Sequence, residues 1–162
     1  MTQVYVGIGS NQQPEQHLCA GIAALKAHFG ALQISTVYQS KAVGFDGADF
    51  LNAVIGFETD LSAAELKKLF KQLEQAQGRT AEQAKFSSRR LDIDLLLWGE
   101  QVEASLKLPH PDILNYPFVL FPLVELAPNL CHPALQQPLS HIAQNSQLTQ
   151  QDLSPVRLAC LD

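Results

Sequence analysis

Residues 50–78 read FLNAVIGFETDLSAAELKKLFKQLEQAQG, an apolar extended stretch that runs directly into a clearly marked helix. The first part, residues 50–57, has the apolar content of a β-strand. Ser62 and, three residues later, Glu65 form a capping box, which marks the start of a helix. Four apolar residues then recur at helical spacing before Gly78 ends the pattern: Leu66, Leu69, Phe70 and Leu73. The stretch therefore predicts a strand followed by a helix with one apolar stripe.

The segments around this pair complete a regular order of elements. Residues 4–9 alternate and are rich in β-branched side chains, residues 14–30 show helical spacing after a proline, and residues 32–38 alternate again. Residues 91–98 form a last, strongly strand-like run. The order is β-α-β-β-α-β, which predicts a ferredoxin-like α+β fold, an antiparallel sheet with helices covering one face.

The sequence from residue 101 onward differs in composition, because prolines interrupt it and its apolar runs are short. We expect a short helix over residues 118–126, with Pro122 in its first turn, where proline is tolerated. No linker separates this part from the rest. We therefore predict one domain over residues 1–162, with a core of residues 1–130 and a C-terminal extension, residues 131–162, packed onto it.

The composition limits the classes of function. The chain has 162 residues, 46% of them apolar and 17% charged, and its formal net charge is -5. This content suits one globular domain and excludes an intrinsically disordered chain. No apolar run approaches the roughly 20 residues of a membrane span. Because nucleic acids and anionic membranes bind basic surfaces, we expect neither as a partner.

The three cysteines, Cys19, Cys131 and Cys160, are odd in number and widely spaced, and they contain no C-x-x-C pair. Neither a disulfide framework nor a zinc site is indicated, so we expect buried or idle thiols. The N-terminus has no basic stretch followed by an apolar one, as a signal peptide would have. We therefore expect a cytoplasmic protein.

Two aspartates in the last predicted strand are candidate metal ligands. Asp92 and Asp94 are two residues apart, so their side chains share one face of the strand, about 6.6 Å apart along the chain. A pair of carboxylates suits Mg²⁺, which completes its shell with water and substrate phosphates. The alternative is the polar face of an ordinary half-exposed strand. The apolar run at residues 95–98 favours a pair that lies inside a sheet and opens into a cleft.

A basic stretch precedes these aspartates. Residues 79–90 contain Arg79, Lys85, Arg89 and Arg90, four of the 11 cations of the chain. Arginine matches phosphate oxygens in a bidentate way and lysine supplies a point charge, so the stretch suits a nucleoside triphosphate with Mg²⁺. The alternative is a solvated loop.

Other polar and aromatic residues have both a structural and a ligand-binding interpretation. Asn52 lies in an apolar strand, where its amide needs either a backbone partner, the more common case, or a ligand. Phe50 and Phe118 suit the core, although aromatic rings around one polar residue also suit a flat heterocycle. His110 lies between two prolines, either as a turn residue or as a functional one.

Six motifs together resemble one known family. They are GSN at 9–11, DFLNA at 49–53, LEQAQGR at 73–79, RRLDIDL at 89–95, PHP at 109–111 and FVLFPLVELAP at 118–128. In order and spacing they resemble the 6-hydroxymethyl-7,8-dihydropterin pyrophosphokinase family of folate biosynthesis. The resemblance covers about residues 4–130.

The resemblance implies an activity and a set of ligands. The enzymes of this family transfer the diphosphate of ATP to the hydroxymethyl group of the pterin and leave AMP. ATP and hydroxymethyldihydropterin would be the substrates, and two Mg²⁺ ions would be held by Asp92 and Asp94. Arg89 joins these aspartates as a catalytic residue. We expect the chain to act as a monomer.

The resemblance also assigns residues to two subsites. Asn52 would bond the pterin edge between Phe50 and Phe118, and three further residues would line that pocket: Ser40, Val43 and Gly44. The ATP-site positions are Glu74, Arg79, Lys85, Arg89, Ile93, His110 and Tyr116.

Two departures from the family pattern leave other functions open. Tyr116 and Ala81 stand where the family has arginines. A second interpretation is therefore a diverged paralogue that makes weak use of ATP and binds the pterin or acts on a related one. In a third, Asp92 and Asp94 are a structural pair in a ferredoxin-like domain.

Overall fold

The structure is a computed structural model, and it describes residues 1–44, 46–78 and 91–161. Its first seven elements follow the predicted order of six, with one predicted strand divided in two: β1 (Thr2–Ser10), α1 (Pro14–Phe29), β2 (Gln33–Ile34), β3 (Val37–Ser40), β4 (Phe50–Thr59), α2 (Ala63–Ala76) and β5 (Asp92–Trp98). The predicted capping box is present, since Ser62 Oγ accepts from the Glu65 N–H and the Glu65 carboxylate accepts from the Ser62 N–H.

The predicted strand over residues 32–38 is two short strands instead of one. β2 and β3 both pair with β4, but their registers differ by one residue. Between them, Ser35 donates its N–H to Val54 O at 2.9 Å, and its hydroxyl accepts the Val54 N–H at 2.9 Å. The Ser35 hydroxyl takes the place of a backbone acceptor in the pairing with β4. The alternation of apolar and polar residues therefore does not reveal the interruption between β2 and β3.

The sheet has six strands, in the order β5-β1-β4-β3, followed by β6 (Ser154–Val156), with β2 off this path beside β4. Every pairing between named strands is antiparallel. The first four strands have the order of a ferredoxin-like sheet, so the α+β fold class is confirmed. β6 belongs to the C-terminal extension and lengthens the sheet beyond β3.

Helices cover both faces of the sheet, so the expectation that they cover only one is wrong. α1 and α2 pack on the face that contains Val6, Ile55 and Leu95. Three C-terminal helices cover the other face, around Val54 and Leu96: α3 (Asp112–Asn115), α4 (Pro117–Leu126) and α5 (Leu139–Asn145). The central strands are apolar on both sides, and each side needs a covering layer. In the described part of the chain, no helix combines the length and the apolar character that a membrane crossing requires.

The helix expected at residues 118–126 is α4, but the expected place of its proline is wrong. Pro117 occupies the first turn, and Pro122 lies inside the helix. An interior proline removes one helical hydrogen bond. The burial of Val119, Leu120 and Leu123 against the sheet compensates for that loss.

The expectation of idle thiols is wrong for two of the three cysteines. Cys19 in α1 forms a disulfide with Cys160, and their Cα atoms are 6.1 Å apart. Cys131 is free and exposed. The two bonded residues are 141 positions apart, and spacing along the chain does not show which residues the fold brings together. The disulfide and β6 both attach the C-terminal extension to the rest of the fold.

Candidate active site

A cavity of about 340 Å³ lies beside β5, between the sheet, α2 and the segment that leads into α3 and α4. We call it the central cavity. It gathers most of the predicted site residues that the structure describes: Ser40, Val43, Phe50, Asn52, Glu74, Asp92, Ile93, Asp94, His110 and Phe118. These residues come from elements far apart in the chain, so the fold brings the two predicted subsites to one place.

The remaining predicted residues have other positions. Gly44 is exposed, has a φ of 81° and does not line the cavity. Tyr116 is not among the lining residues and stacks on Phe118, with ring centroids 5.2 Å apart and an angle of 17° between the rings. Arg79, Lys85 and Arg89 lie outside the described residues.

Asn52 is held by a side chain. Its Nδ2 donates to Ser40 Oγ at 3.1 Å, and both residues are buried. The expectation of a backbone partner for this amide is therefore wrong. Gly9 lies opposite Asn52 in the β1–β4 ladder, and a Cβ at Gly9 would collide with Asn52 Oδ1. The absence of a side chain at Gly9 thus leaves room for the amide.

The paired carboxylates lie on one face of β5, as predicted. Asp92 and Asp94 share this face with Leu96, which packs against the C-terminal helices. Burial, followed by the negative charges of Asp92 and Glu74, raises the pKa of Asp94 well above its usual range. A carboxyl group in this position gains most from a nearby cation, because the cation removes the repulsion.

Glu74 connects α2 to the edge strand β5. Its Oε2 accepts the Ile93 N–H at 2.7 Å, and the Glu74 side chain is buried. β5 pairs with β1 on its other side, so this amide belongs to the open edge of the sheet. The bond satisfies a buried backbone donor and fixes α2 at the cavity.

His110 and Asp112 complete the acidic end of the central cavity. The His110 N–H donates to Leu96 O at 3.0 Å, and His110 Nδ1 accepts the Asp112 N–H at 3.1 Å. In neutral His110 this bond leaves the ring proton on Nε2. Asp94, His110 and Asp112 each offer one ligand atom, and these atoms lie within 4.8 Å of one another. Such carboxylate oxygens fit Mg²⁺.

The sequence prediction missed Asp112 and three lysines that line the central cavity: Lys67, Lys71 and Lys107. Asp112 follows the PHP motif directly, which was the available signal. Lys67 and Lys71 are one helical turn apart on α2, and Lys67 Nζ donates to Leu106 O at 3.1 Å. Nothing in the sequence shows that the loop containing Lys107 meets α2.

Comparison with known proteins gives consistent results. The family model described as 7,8-dihydro-6-hydroxymethylpterin-pyrophosphokinase (HPPK) matches residues 5–128. A protein of Aquifex aeolicus is 37% identical over 152 residues, which cover 91% of this chain and 94% of that protein. A protein of Haemophilus influenzae is 34% identical over 142 residues, covering 84% and 88%. Both are named 2-amino-4-hydroxy-6-hydroxymethyldihydropteridine pyrophosphokinase.

Solved structures share the fold. The crystal structure of wild-type Plasmodium falciparum HPPK-DHPS superposes with a TM-score of 0.64 at 10% identity, covering 88% of this chain and 44% of that chain. A variant of the same protein with pterin and p-hydroxybenzoate gives 0.70 at 9% identity, covering 95% and 46%. This chain thus spans less than half of those chains, and at such low identity the likeness concerns the fold alone.

Proposed function

Because this chain belongs to the 7,8-dihydro-6-hydroxymethylpterin-pyrophosphokinase family, we propose that the central cavity is where its two substrates meet. The chain is an ATP-dependent pyrophosphokinase of folate biosynthesis, which acts on 6-hydroxymethyl-7,8-dihydropterin with ATP as co-substrate. The family match and the names of the curated relatives favour this activity over that of a diverged pterin-binding paralogue. The observation that carries the assignment of the cavity is that residues of both predicted subsites line it.

For the metal site, we assign two Mg²⁺ ions to the carboxylates of Asp92 and Asp94. The shared face of these residues and the raised pKa of Asp94 support this assignment, and Asp112 adds a third carboxylate nearby. When bound, Mg²⁺ neutralises charge on the phosphate oxygens. We also assign to one of these carboxylates the role of accepting the proton of the attacking hydroxyl.

For the pterin side, we assign the polar edge of the ring to Asn52, whose orientation Ser40 fixes. Phe50 and Phe118 offer the flat apolar surfaces on either side. Tyr116 stacks on Phe118 and stays a prediction for the ATP side. We assign Val43 and Gly44, in the loop between β3 and β4, to the rim of this pocket.

For the ATP side, we assign Glu74, Ile93 and His110. Glu74 acts by holding Ile93 and β5 in place, and we assign His110, whose Nδ1 accepts the Asp112 N–H, to a phosphate oxygen. Arg79, Lys85 and Arg89 stay predictions for the same side. Transfer of a phosphoryl-type group depends on positioning and charge neutralisation more than on covalent chemistry. Charged and hydrogen-bonding side chains such as these are the types that the reaction requires.

We further infer that the chain acts as a monomeric single domain. The support for a single domain is the attachment of the extension through β6 and the disulfide. Analytical ultracentrifugation at the assay concentration tests the monomer.

The test is the release of AMP from ATP. We expect AMP only when both Mg²⁺ and 6-hydroxymethyl-7,8-dihydropterin are present. Asp92→Ala should abolish it, whereas Asp152→Ala, at an exposed position outside the cavity, should not. Folded wild-type protein that forms no AMP under these conditions would contradict the proposal.

A further inference from the structure

Glu125, near the end of α4, accepts three hydrogen bonds from Thr36, just before β3, and Tyr38, in β3. Its Oε2 accepts the Thr36 N–H at 2.6 Å and the Thr36 hydroxyl at 2.9 Å. Its Oε1 accepts the Tyr38 hydroxyl at 2.9 Å. One carboxylate therefore fastens α4 to the segment that forms β3, across more than 80 residues of chain. We call these three residues the carboxylate clamp.

The same helix and strand carry walls of the central cavity. Phe118 and Glu125 are seven residues apart in α4, so they lie on the same face of the helix, about 10 Å apart along its axis. Thr36, Tyr38 and Ser40 alternate with their neighbours and share one face. The clamp holds one end of this pair of elements, and Phe118 and Ser40 lie toward the other end, in the cavity.

The strand pairing extends this connection to Asn52. Tyr38 lies directly opposite Asn52 in the β3–β4 ladder, and Ser40, two residues further, accepts the Asn52 amide hydrogen bond. A shift of β3 relative to α4 would therefore move the Ser40–Asn52 pair relative to Phe118. These are the polar edge and one apolar wall of the pocket assigned to the pterin.

Charge and desolvation favour a clamp of fixed geometry. Desolvation, followed by the hydrogen bond to Glu125, raises the pKa of Tyr38 above its usual value, so the phenol remains a donor. Hydrogen bonds to an ionised carboxylate are stronger than bonds between neutral groups. Because the Thr36 donor is a backbone N–H, its bond to Glu125 restrains the main chain itself. Glu125 itself does not line the cavity.

We propose that Glu125 is a positioning residue for the pterin: its carboxylate sets the width of the slot between Phe118 and the Ser40–Asn52 pair. This inference rests on the proposed function, because it concerns how the same site holds its pterin substrate. It predicts a larger effect on the pterin than on ATP, since the ATP-side residues Glu74, Ile93 and His110 lie on α2, β5 and the segment before α3.

The test compares Glu125→Ala with Glu58→Ala, an exposed glutamate on β4. Calorimetry measures the Kd of 6-hydroxymethylpterin in the presence of Mg²⁺ and α,β-methylene-ATP, and separately the Kd of the analogue. We expect Glu125→Ala to weaken pterin binding roughly tenfold, the scale of one charge-assisted hydrogen bond, and to leave the analogue affinity within about twofold. Glu58→Ala should change neither value.

Two milder variants keep the test decisive if Glu125→Ala does not fold. Glu125→Gln retains an oxygen that accepts the Thr36 bonds, so we expect it to restore most of the pterin affinity. Tyr38→Phe removes one bond and should raise the pterin KM about threefold with little change in kcat. A merely structural role would lower the melting temperature without separating KM for the pterin from KM for ATP.

The outcomes distinguish the two proposals. An active wild type whose folded clamp variants bind the pterin normally, or lose affinity for both ligands equally, would overturn the clamp and leave the proposed function intact. A folded wild type that forms no AMP would overturn the proposed function and the pterin role of Glu125 with it.

Discussion

At the scale of single residues, the site depends on the close contact between the Gly9 backbone and the Asn52 side chain. The motif that contains Gly9 is readable in the sequence, but the reason for the glycine is not, because it lies in a contact with a strand more than 40 residues away. The three lysines of the cavity were missed for the same reason, whereas Asp112 had a local signal, its position directly after the PHP motif. Asp92 and Asp94, whose shared face follows from local spacing, lie on that face as predicted and line the cavity.

The first prediction concerns Gly9. Gly9→Ala places a methyl group where the Asn52 Oδ1 lies, so the amide has to move, and pterin binding should weaken at least about tenfold, in the range of overpacking costs. Calorimetry with 6-hydroxymethylpterin measures this. Gly7→Ala is the comparison variant on the same strand: Gly7 also lines the cavity, but a Cβ there meets Leu96 at an ordinary 3.7 Å and does not approach Asn52. Equal pterin affinity in both variants would contradict the account of Gly9.

The second prediction concerns Asp94, whose pKa is raised by burial and by the charges of Asp92 and Glu74. The folded state binds this proton more tightly than the unfolded state, so the free energy of unfolding falls as pH rises from the usual carboxyl pKa toward the raised one. Without divalent cations, Asp94→Asn should therefore be more stable than wild type at neutral pH.

Thermal melting checks this prediction with and without Mg²⁺. The cation should raise the melting temperature of the wild type and leave that of Asp94→Asn nearly unchanged. Asp152→Asn, at an exposed position, should behave like the wild type. A wild type that is indifferent to Mg²⁺ would argue against a metal site at Asp94.

At the scale of elements, the sequence predicts helices and strands well where one local pattern is complete. α2 was predicted with its cap because the capping box and the apolar stripe agree. The division of the predicted strand into β2 and β3 was not, since it depends on the hydroxyl of Ser35 bonding across the sheet. The interior position of Pro122 depends on tertiary burial in the same way.

The third prediction concerns the start of α2. Ser62→Ala removes the acceptor for the Glu65 N–H, which should lower the free energy of unfolding by about 1 kcal/mol. Urea denaturation measures it. Gln72→Ala, at an exposed position in the middle of α2, is the control and should change stability by less than about 0.5 kcal/mol. If Ser62→Ala lowers the free energy of unfolding no more than Gln72→Ala does, the cap does not stabilise the fold.

At the scale of the whole molecule, the fold class and the family were predictable, and both are confirmed. The second helical layer was not, because alternation in a strand does not show what covers each face. This layer matters for function, since the central cavity lies between it and the sheet, and Phe118, His110 and Asp112 reach the cavity from that side. The disulfide is a further long-range feature without a local signal.

The fourth prediction concerns that disulfide. It closes a loop across 141 positions, and the chain-entropy model assigns such a cross-link about 4–5 kcal/mol. Under non-reducing conditions, Cys160→Ser should lower the free energy of unfolding by roughly 2–5 kcal/mol, measured by denaturation. Cys131→Ser removes the free, exposed thiol and should have no effect. Equal stability of the two variants would show that Cys19 and Cys160 are not bonded in solution.

The central claim is that one cavity holds the pterin and the nucleotide together. The most direct measurement is the Kd of 6-hydroxymethylpterin with and without Mg²⁺ and α,β-methylene-ATP. We predict that the two additions together tighten pterin binding at least about fivefold, and that neither does so alone. Asn52→Ala should abolish this binding. A pterin Kd that does not change with Mg²⁺ and the analogue, or that survives Asn52→Ala, would contradict the account.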